Sequence, residues 1–154
     1  MKLAADSHQR LEEFFREYFQ DEDFRLPLIY FYGGRFTRFF TRIIKVHGIT
    51  FGCRIFIMPA LISVNQISEP RLSENLAAHE ITHSLQYKTH GFIGFFYNYL
   101  GSYLRNLRKQ EKWDLPARQA AYLEIPFEVE ARDAAEKFVE WNDHKRRLKS
   151  ENNN

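Results

Sequence analysis

The segment His79-Glu80-Ile81-Thr82-His83 has the residue types and spacing of a metal site with a built-in base. A helix turns about 100° per residue, so side chains four positions apart project from nearly the same side. The imidazoles of His79 and His83 can therefore hold one ion. Glu80 lies one step around the helix, where it can act as general base toward the water that the ion activates. The spacing predicts a hydrolytic zinc site.

The flanking residues predict the helix that this motif requires. Ser73 is a candidate N-cap, and Glu74 stands in the first turn, where the helix dipole favours an anion. Ile81 and Leu85 fall at helical spacing and are expected to pack inward while the histidines face a cleft. Gly91 is a candidate C-terminal stop. We expect a helix over about residues 74–90; the alternative is two ordinary histidines that flank a glutamate by chance.

A catalytic zinc keeps three protein ligands and one open position, so two histidines are incomplete. Glu124, Glu128 and Glu130 cluster near the start of the last predicted helix. Glu128 and Glu130 point about 200° apart on a regular helix, so only one of them can face the ion. Phe127 and Ala131 flank Glu128 on the side expected to face the interior, where a carboxylate needs a cation. Glu128 is preferred and Glu130 is the alternative. The chain offers weaker candidates as well: His47, Cys53, His90 and His144.

Length and composition predict one folded domain. The 154 residues are 44% hydrophobic and 16% aromatic, which is typical of a chain with a real core. We assign residues 1–148 to the domain and residues 149–154 to a flexible polar tail. The net charge of +2 does not favour nucleic-acid binding. The single cysteine, Cys53, excludes an internal disulfide and is expected to be a small buried hydrophobe.

Targeting signals are not evident in the sequence. The first residues lack the apolar core of a secretory peptide, and no apolar run reaches the roughly 18 residues of a membrane span. The expectation is a cytoplasmic protein without a transmembrane segment, with export by a dedicated machine and the oligomeric state left open. Basic residues recur between Arg35 and Lys45. A solvated face over a Phe/Ile core is the preferred interpretation, and peripheral membrane contact is the alternative.

The remaining pattern alternates helical and strand-like segments. Apolar spacing predicts a helix over Asp6–Gln20 opened by an Asp6/Gln9 capping box. We expect a strand at 27–32, a strand or hairpin at 49–57, a connector at 63–73, and helical segments at 91–110, 115–123 and from Pro126 onward. The stripe expected to be buried in the 91–110 segment is Phe92, Phe96, Leu100, Tyr103 and Leu107.

Three blocks of the chain resemble the minimal gluzincin zinc metallopeptidases. They are Ile49–Phe56, Leu76–Gln86 and Pro126–Ala131, and they span roughly residues 46–135. The chain is most similar to a short bacterial family with an H-E-L-x-H-V-x-Q core, members of which occur with contractile injection systems. The resemblance implies a zincin-like α+β fold. A small antiparallel sheet would pack on the His79–His83 helix, and the C-terminal glutamate helix would close the other side.

The resemblance also implies roles for single residues. His79, His83 and Glu128 would bind Zn²⁺, and Glu80 would be the general base. The strand at Arg54–Ile57 would be an edge that holds an extended peptide or protein substrate. Apart from the resemblance, the sequence offers Tyr122, six residues before Glu128, as the preferred donor to the oxyanion, with Tyr87 and His90 as alternatives. Gln86 fits the family's glutamine after the second histidine.

One position departs from the family pattern. An Asp that would support a ligand histidine often follows the ligand Glu by four residues. Here that position is Arg132, and the Asp falls at Asp133. The leading hypothesis remains a zinc-dependent endopeptidase. The alternative is a non-catalytic zinc-binding interaction module, or pseudo-peptidase, whose aromatic helix is a docking surface; the presence of Glu80 opposes it, because structural zinc needs no base.

Overall fold

The computed structural model of the chain describes residues 3–32, 48–57, 62–64 and 70–151. The basic stretch from 35 to 45 lies outside these residues, as does His47. The described part is mixed α+β, as expected. In chain order its elements are α1 (Ala5–Phe19), β1 (Tyr30–Tyr32), β2 (Gly48–Phe51), β3 (Arg54–Ile57), β4 (Ile62–Val64), β5 (Pro70–Leu72), α2 (Glu74–Arg108), α3 (Leu115–Leu123) and α4 (Pro126–Glu151).

A three-stranded sheet has the order β1-β3-β2, with β3 in the centre. β2 and β3 form an antiparallel hairpin, whereas β1 runs parallel to β3. The sheet is therefore mixed, and the prediction of a purely antiparallel sheet is wrong. β4 and β5 pair antiparallel with each other inside the segment predicted to be a plain connector.

Helix α1 begins one residue earlier than predicted. Ala4 is the N-cap and makes no side-chain capping bond, while Asp6 already lies in the first turn. The predicted Asp6/Gln9 capping box is therefore wrong, because its aspartate is not at the cap. The predicted apolar face is buried at Leu11, Phe14 and Phe15.

The hydrophobic core joins α1, the sheet, the first half of α2 and the middle of α4. Phe15 of α1, Phe31 of β1, Ile55 of β3 and Ile81 of α2 are almost completely buried. Phe138 of α4 closes the same cluster. This core fixes the sheet and α4 against the first half of α2.

Helix α2 contains two helical halves that meet at Gly91. That residue has φ 66° and ψ 171°, which interrupts the helical backbone between the predicted segments 74–90 and 91–110. In the first half Ile81 and Leu85 are buried, as expected. Ser73 is the N-cap, although its side chain makes no capping bond.

The prediction of which residues are buried in the second half of α2 is largely wrong. Phe92 and Leu100 are more than half exposed, and the buried ring is instead Phe95. Of the predicted stripe, Leu107 is buried. The buried face is therefore rotated from the one that apolar spacing indicated.

The two C-terminal helices begin where the sequence predicted. Asp114 caps α3, since its carboxylate accepts from the backbone N–H of Ala117 at 3.0 Å. Pro126 opens α4, which packs along α2. α4 continues to Glu151, past position 149 where the flexible tail was expected to begin, and residues 152–154 lie outside the described part.

Candidate metal centre

The two histidines project from the first half of α2 toward α4. Their ring centroids lie 4.9 Å apart, as expected for positions one helical turn apart. His83 is buried, and the His79 side chain is 19% exposed. The motif thus lies on a helix, with the His83 side chain enclosed and the His79 side chain partly accessible to solvent.

Glu128, in the first turn of α4, faces both histidines. Its Oε2 lies 3.5 Å from Nε2 of His79, and its Oε1 lies 3.4 Å from Nε2 of His83. One ligand atom from each of the three side chains falls within 4.8 Å of the others, an arrangement that could hold a metal ion. The structure brings Glu128, and not Glu130 or Glu124, to this group.

The chemistry of the three groups fits a bound cation. Glu128 is buried, and its Oε2 accepts no hydrogen bond within the described residues. Burial alone would raise the pKa of Glu128, but the two histidines lower it well below its ordinary value. Burial alone would lower the pKa of His83, but Glu128 raises it. The pocket therefore favours positive charge between the carboxylate and the imidazoles, which either protons or a metal ion can supply.

Gln86 holds the second nitrogen of His83. Its amide donates to the Phe127 carbonyl at 3.1 Å and to Glu130 Oε2 at 2.9 Å, so its Oε1 is left to face Nδ1 of His83 at 2.8 Å. A hydrogen-bond acceptor beside Nδ1 favours the neutral tautomer that is protonated at Nδ1. The lone pair of Nε2 then faces Glu128 and His79. Glu130, the alternative ligand, is thus a partner of Gln86.

Asp133 takes no part in the site. It accepts a hydrogen bond from the Tyr18 hydroxyl at 3.0 Å and pairs with Lys137 at 2.9 Å. Arg132, which occupies the position of the family's aspartate, donates to the Leu123 carbonyl. The supporting acceptor for a ligand histidine is therefore Gln86, which lies on the same helix as the histidine.

Glu80 is buried beside the three-residue group without belonging to it. The Thr50 hydroxyl, in β2, donates to its Oε2 at 2.5 Å. This bond fixes one carboxylate oxygen and leaves the other for a different partner. The sequence analysis missed Thr50 because the contact joins segments thirty positions apart.

Two tyrosines lie at the Glu128 side of the pocket. The Tyr99 hydroxyl donates to Glu128 Oε1 at 2.6 Å. Burial and then the charge of Glu128 raise the pKa of Tyr99, and the same two causes raise the pKa of Tyr122. Glu80 adds to the effect on Tyr122. Both hydroxyls therefore stay protonated near neutral pH and can donate hydrogen bonds. Tyr99 was not singled out in the sequence, where it was one aromatic residue among many.

Several weaker candidates lie away from the group. His90 is exposed, with its ring against Phe127 at 5.0 Å between centroids. The Tyr87 ring stacks on Phe95 at 3.9 Å. Cys53 is exposed in the β2–β3 turn, so the prediction that it is buried is wrong. His144 is exposed in α4.

The prediction that Arg54–Ile57 form an edge strand for the substrate is wrong. β3, which contains Arg54–Ile57, is the central strand, and both of its sides are paired. It cannot accept another strand. Among the described strands of this sheet, β2 is the one beside α2, and it pairs with β3 on one side.

No helix among the described residues is both long enough and apolar enough to cross a membrane. No protein-family model, curated protein or solved structure matches this chain.

Proposed function

We propose that this protein is a zinc-dependent metallopeptidase of the gluzincin type, in which His79, His83 and Glu128 are the ligands. The observation that carries the proposal is a buried His-His-Glu group with a second buried carboxylate, Glu80, beside it and outside it. Two imidazole nitrogens and one carboxylate form a ligand set typical of catalytic zinc with an open position. A metal held for stability alone would not require the additional carboxylate.

A zinc ion bound here would lower the pKa of a water molecule and polarise a peptide carbonyl. Glu80 would take the proton from the attacking water and deliver it to the amine that leaves. Thr50 keeps the Glu80 carboxylate in one orientation through its hydrogen bond. These roles are consistent with hydrolysis of an amide bond, in which the water gives its hydroxyl to the carbonyl carbon, the C–N bond breaks, and the water's remaining proton passes through Glu80 to the leaving nitrogen.

Tyr122 is our preferred donor to the oxyanion. Tyr99 donates to Glu128 Oε1 at 2.6 Å and so orients that ligand, and Glu128 also acts on Tyr122 through its charge and a hydrogen bond. Tyr122 keeps its proton at neutral pH because burial and the Glu128 charge raise its pKa. A protonated phenol near the developing negative charge would stabilise the transition state more than the ground state.

We assign the substrate to β2 rather than to β3. β2 lies beside α2, and its Thr50 contacts Glu80. An extended peptide added to this strand by backbone hydrogen bonds would pass close to the proposed base. The substrate class is therefore a peptide, or an unfolded segment of a protein, in extended conformation.

Metal content and hydrolysis together test this proposal. The wild type, purified without added metal, should contain about one zinc per chain by elemental analysis. His83→Ala and Glu128→Ala should lose most of it, whereas Glu80→Gln should retain zinc and lose hydrolysis of a fluorescent casein. His90→Ala and Glu124→Gln are matched controls, because each changes the same residue type at an exposed position close by in the sequence.

Each result has a distinct meaning. A wild type without zinc after incubation with the metal would overturn the site. Zinc kept in Glu128→Ala would remove Glu128 from the ligand set. Zinc bound with no hydrolysis in the wild type, across extended peptide libraries, would favour the non-catalytic zinc-binding module, for which the exposed apolar side chains of α2 would be the contact surface.

A further inference from the structure

The second half of α2 exposes an apolar stripe on the side away from the metal centre. Ile93, Tyr97, Leu100 and Leu104 follow one another at intervals of four, three and four positions, which places them on one helix face. Their exposed fractions are 84%, 80%, 53% and 46%. Phe95 and Tyr99 point to the opposite face, where they contact His83 and Glu128. The stripe is therefore available to a partner without disturbing the site.

The charged residues of the helix segment that carries the stripe are all basic, and acidic residues return just beyond it at Glu111 and Asp114. From Ile81 to Gln110 the sequence contains four basic residues and no Asp or Glu. Arg108 continues the stripe one turn after Leu104, and Arg105 lies next to it. Both arginines are exposed, and neither forms an ion pair within the described residues. A partner that covers this face must be apolar at its centre and acidic at its rim.

A second copy of the chain fits this requirement poorly. If two stripes packed together antiparallel, each copy would bring Arg105 and Arg108 to the start of the partner's stripe, where residues 92–104 contain no charged side chain. No acidic residue of the stripe's own segment could neutralise them. The arginines would therefore lie against an apolar surface without a counter-charge, which disfavours association.

We propose that this stripe, defined as Ile93, Tyr97, Leu100 and Leu104, binds the surface of an anionic lipid bilayer. Apolar and aromatic side chains on one helix face, flanked by arginine, are typical of helices that lie in the membrane interface. Tyrosine and tryptophan favour the headgroup level, and Trp113, just beyond the helix, is also exposed. Anionic headgroups supply the acidic rim that the arginines require.

This attachment gives the protein a defined orientation. The second half of α2 would lie along the bilayer, with its stripe toward the lipid and with Phe95 and Tyr99 toward the metal centre. The inference does not depend on the proposed peptidase activity, because the stripe and the site occupy opposite faces of the same helix.

Vesicle flotation tests the proposal. The full chain is mixed with phosphatidylcholine vesicles that contain either no anionic lipid or about 30 mol% phosphatidylserine, at low and high salt. We expect binding to the anionic vesicles that weakens as salt rises. Ile93→Ser and Leu100→Ser should each reduce affinity about tenfold, through lost apolar burial. Arg105→Gln and Arg108→Gln should each reduce it about fivefold.

Matched controls separate the stripe from general surface effects. Leu28→Ser removes an exposed apolar side chain outside α2, and Lys149→Gln removes an exposed cation near the end of α4. Both should bind vesicles as the wild type does, and circular dichroism should show equal helix content for all variants. The proposal is overturned if the wild type does not bind anionic vesicles, or if Leu28→Ser weakens binding as much as Ile93→Ser. It is also overturned if light scattering shows a dimer that Ile93→Ser dissociates, because a second copy would then cover the stripe.

Discussion

Replacement of Gln86 by leucine is the sharpest test of how the metal centre is supported. The side chain is buried and joins His83 to the first turn of α4 through three hydrogen bonds. Leucine has a similar volume, so the change removes polar contacts with little effect on packing. We expect Gln86→Leu to lower both the zinc affinity and the stability of the metal-free protein.

The structure gives the size of each effect. The change leaves Nδ1–H of His83 without its partner, whereas the Phe127 carbonyl keeps its backbone partner within α4 and Glu130 is exposed and can be hydrated. A buried polar group left unpaired costs about 1–3 kcal/mol, so the free energy of unfolding should fall by about that amount. Loss of an orienting acceptor from a ligand histidine should reduce zinc affinity about 10- to 100-fold.

Two assays separate these effects. Urea unfolding of the metal-free protein measures stability, and competition with a chromogenic chelator measures zinc affinity. Ser84→Ala is the matched control, because Ser84 is buried on the same helix but donates within it, to the Glu80 carbonyl at 3.3 Å. It should keep zinc affinity unchanged and lose less than about 1 kcal/mol. If Gln86→Leu bound zinc as tightly as Ser84→Ala, the proposed role of Gln86 in orienting His83 would be refuted.

Three further predictions address the base, the oxyanion donor and one ion pair. Thr50→Val should keep zinc and reduce kcat about tenfold, because Glu80 loses an orienting hydrogen bond; an unchanged kcat would contradict this. Tyr122→Phe should keep zinc and reduce kcat about 10²- to 10³-fold with a smaller change in KM, and steady-state kinetics that show no loss would exclude it as the donor. Burial alone would raise the pKa of Glu74, but the hydrogen bond from Arg10 lowers it below the unfolded-state pKa of 4.5. The pair therefore stabilises the fold at pH values above 4.5, and this stabilisation is lost as the pH falls through the lower pKa of the folded state. Glu74→Gln should therefore cost up to about 1 kcal/mol in urea unfolding at about pH 7 and less at about pH 3, and an equal cost at both would contradict the assignment.

The sequence was most informative where the geometry is local. The spacing of His79, Glu80 and His83 sets their directions once the segment is helical, and helicity followed from the apolar pattern around them. The preference for Glu128 over Glu130 also followed from helical spacing, because Glu128 lies on the same side of the helix as Ala131. Both residues are buried in the structure. Local periodicity therefore predicted the group that the structure brings together.

The sequence was uninformative where distant segments meet. β3 became central because β1 pairs with it in parallel, and nothing in either strand indicates that partner. Thr50 reaches Glu80 only because β2 lies beside α2. In the second half of α2 apolar residues surround the helix, so periodicity could not tell the face that carries Phe95 from the exposed stripe.

The backbone at Gly91 explains why Tyr99 belongs to a site built around His83. The two residues are sixteen positions apart, which is about 24 Å along a straight helix at about 1.5 Å per residue. In the structure both contact the same atom, Glu128 Oε1, at 3.4 and 2.6 Å. The chain must therefore turn back between them, and it does so at Gly91.

Gly91 has φ 66° and ψ 171°, a conformation that essentially only glycine adopts. A Cβ there would meet nothing within 4 Å, so the need for glycine comes from backbone conformation and not from space. The same turn stacks Phe95 on Tyr87 at 3.9 Å, although they are eight positions apart. Gly91 thus acts on the metal centre without touching it, because its backbone conformation returns Tyr99 to the carboxylate that the histidines share.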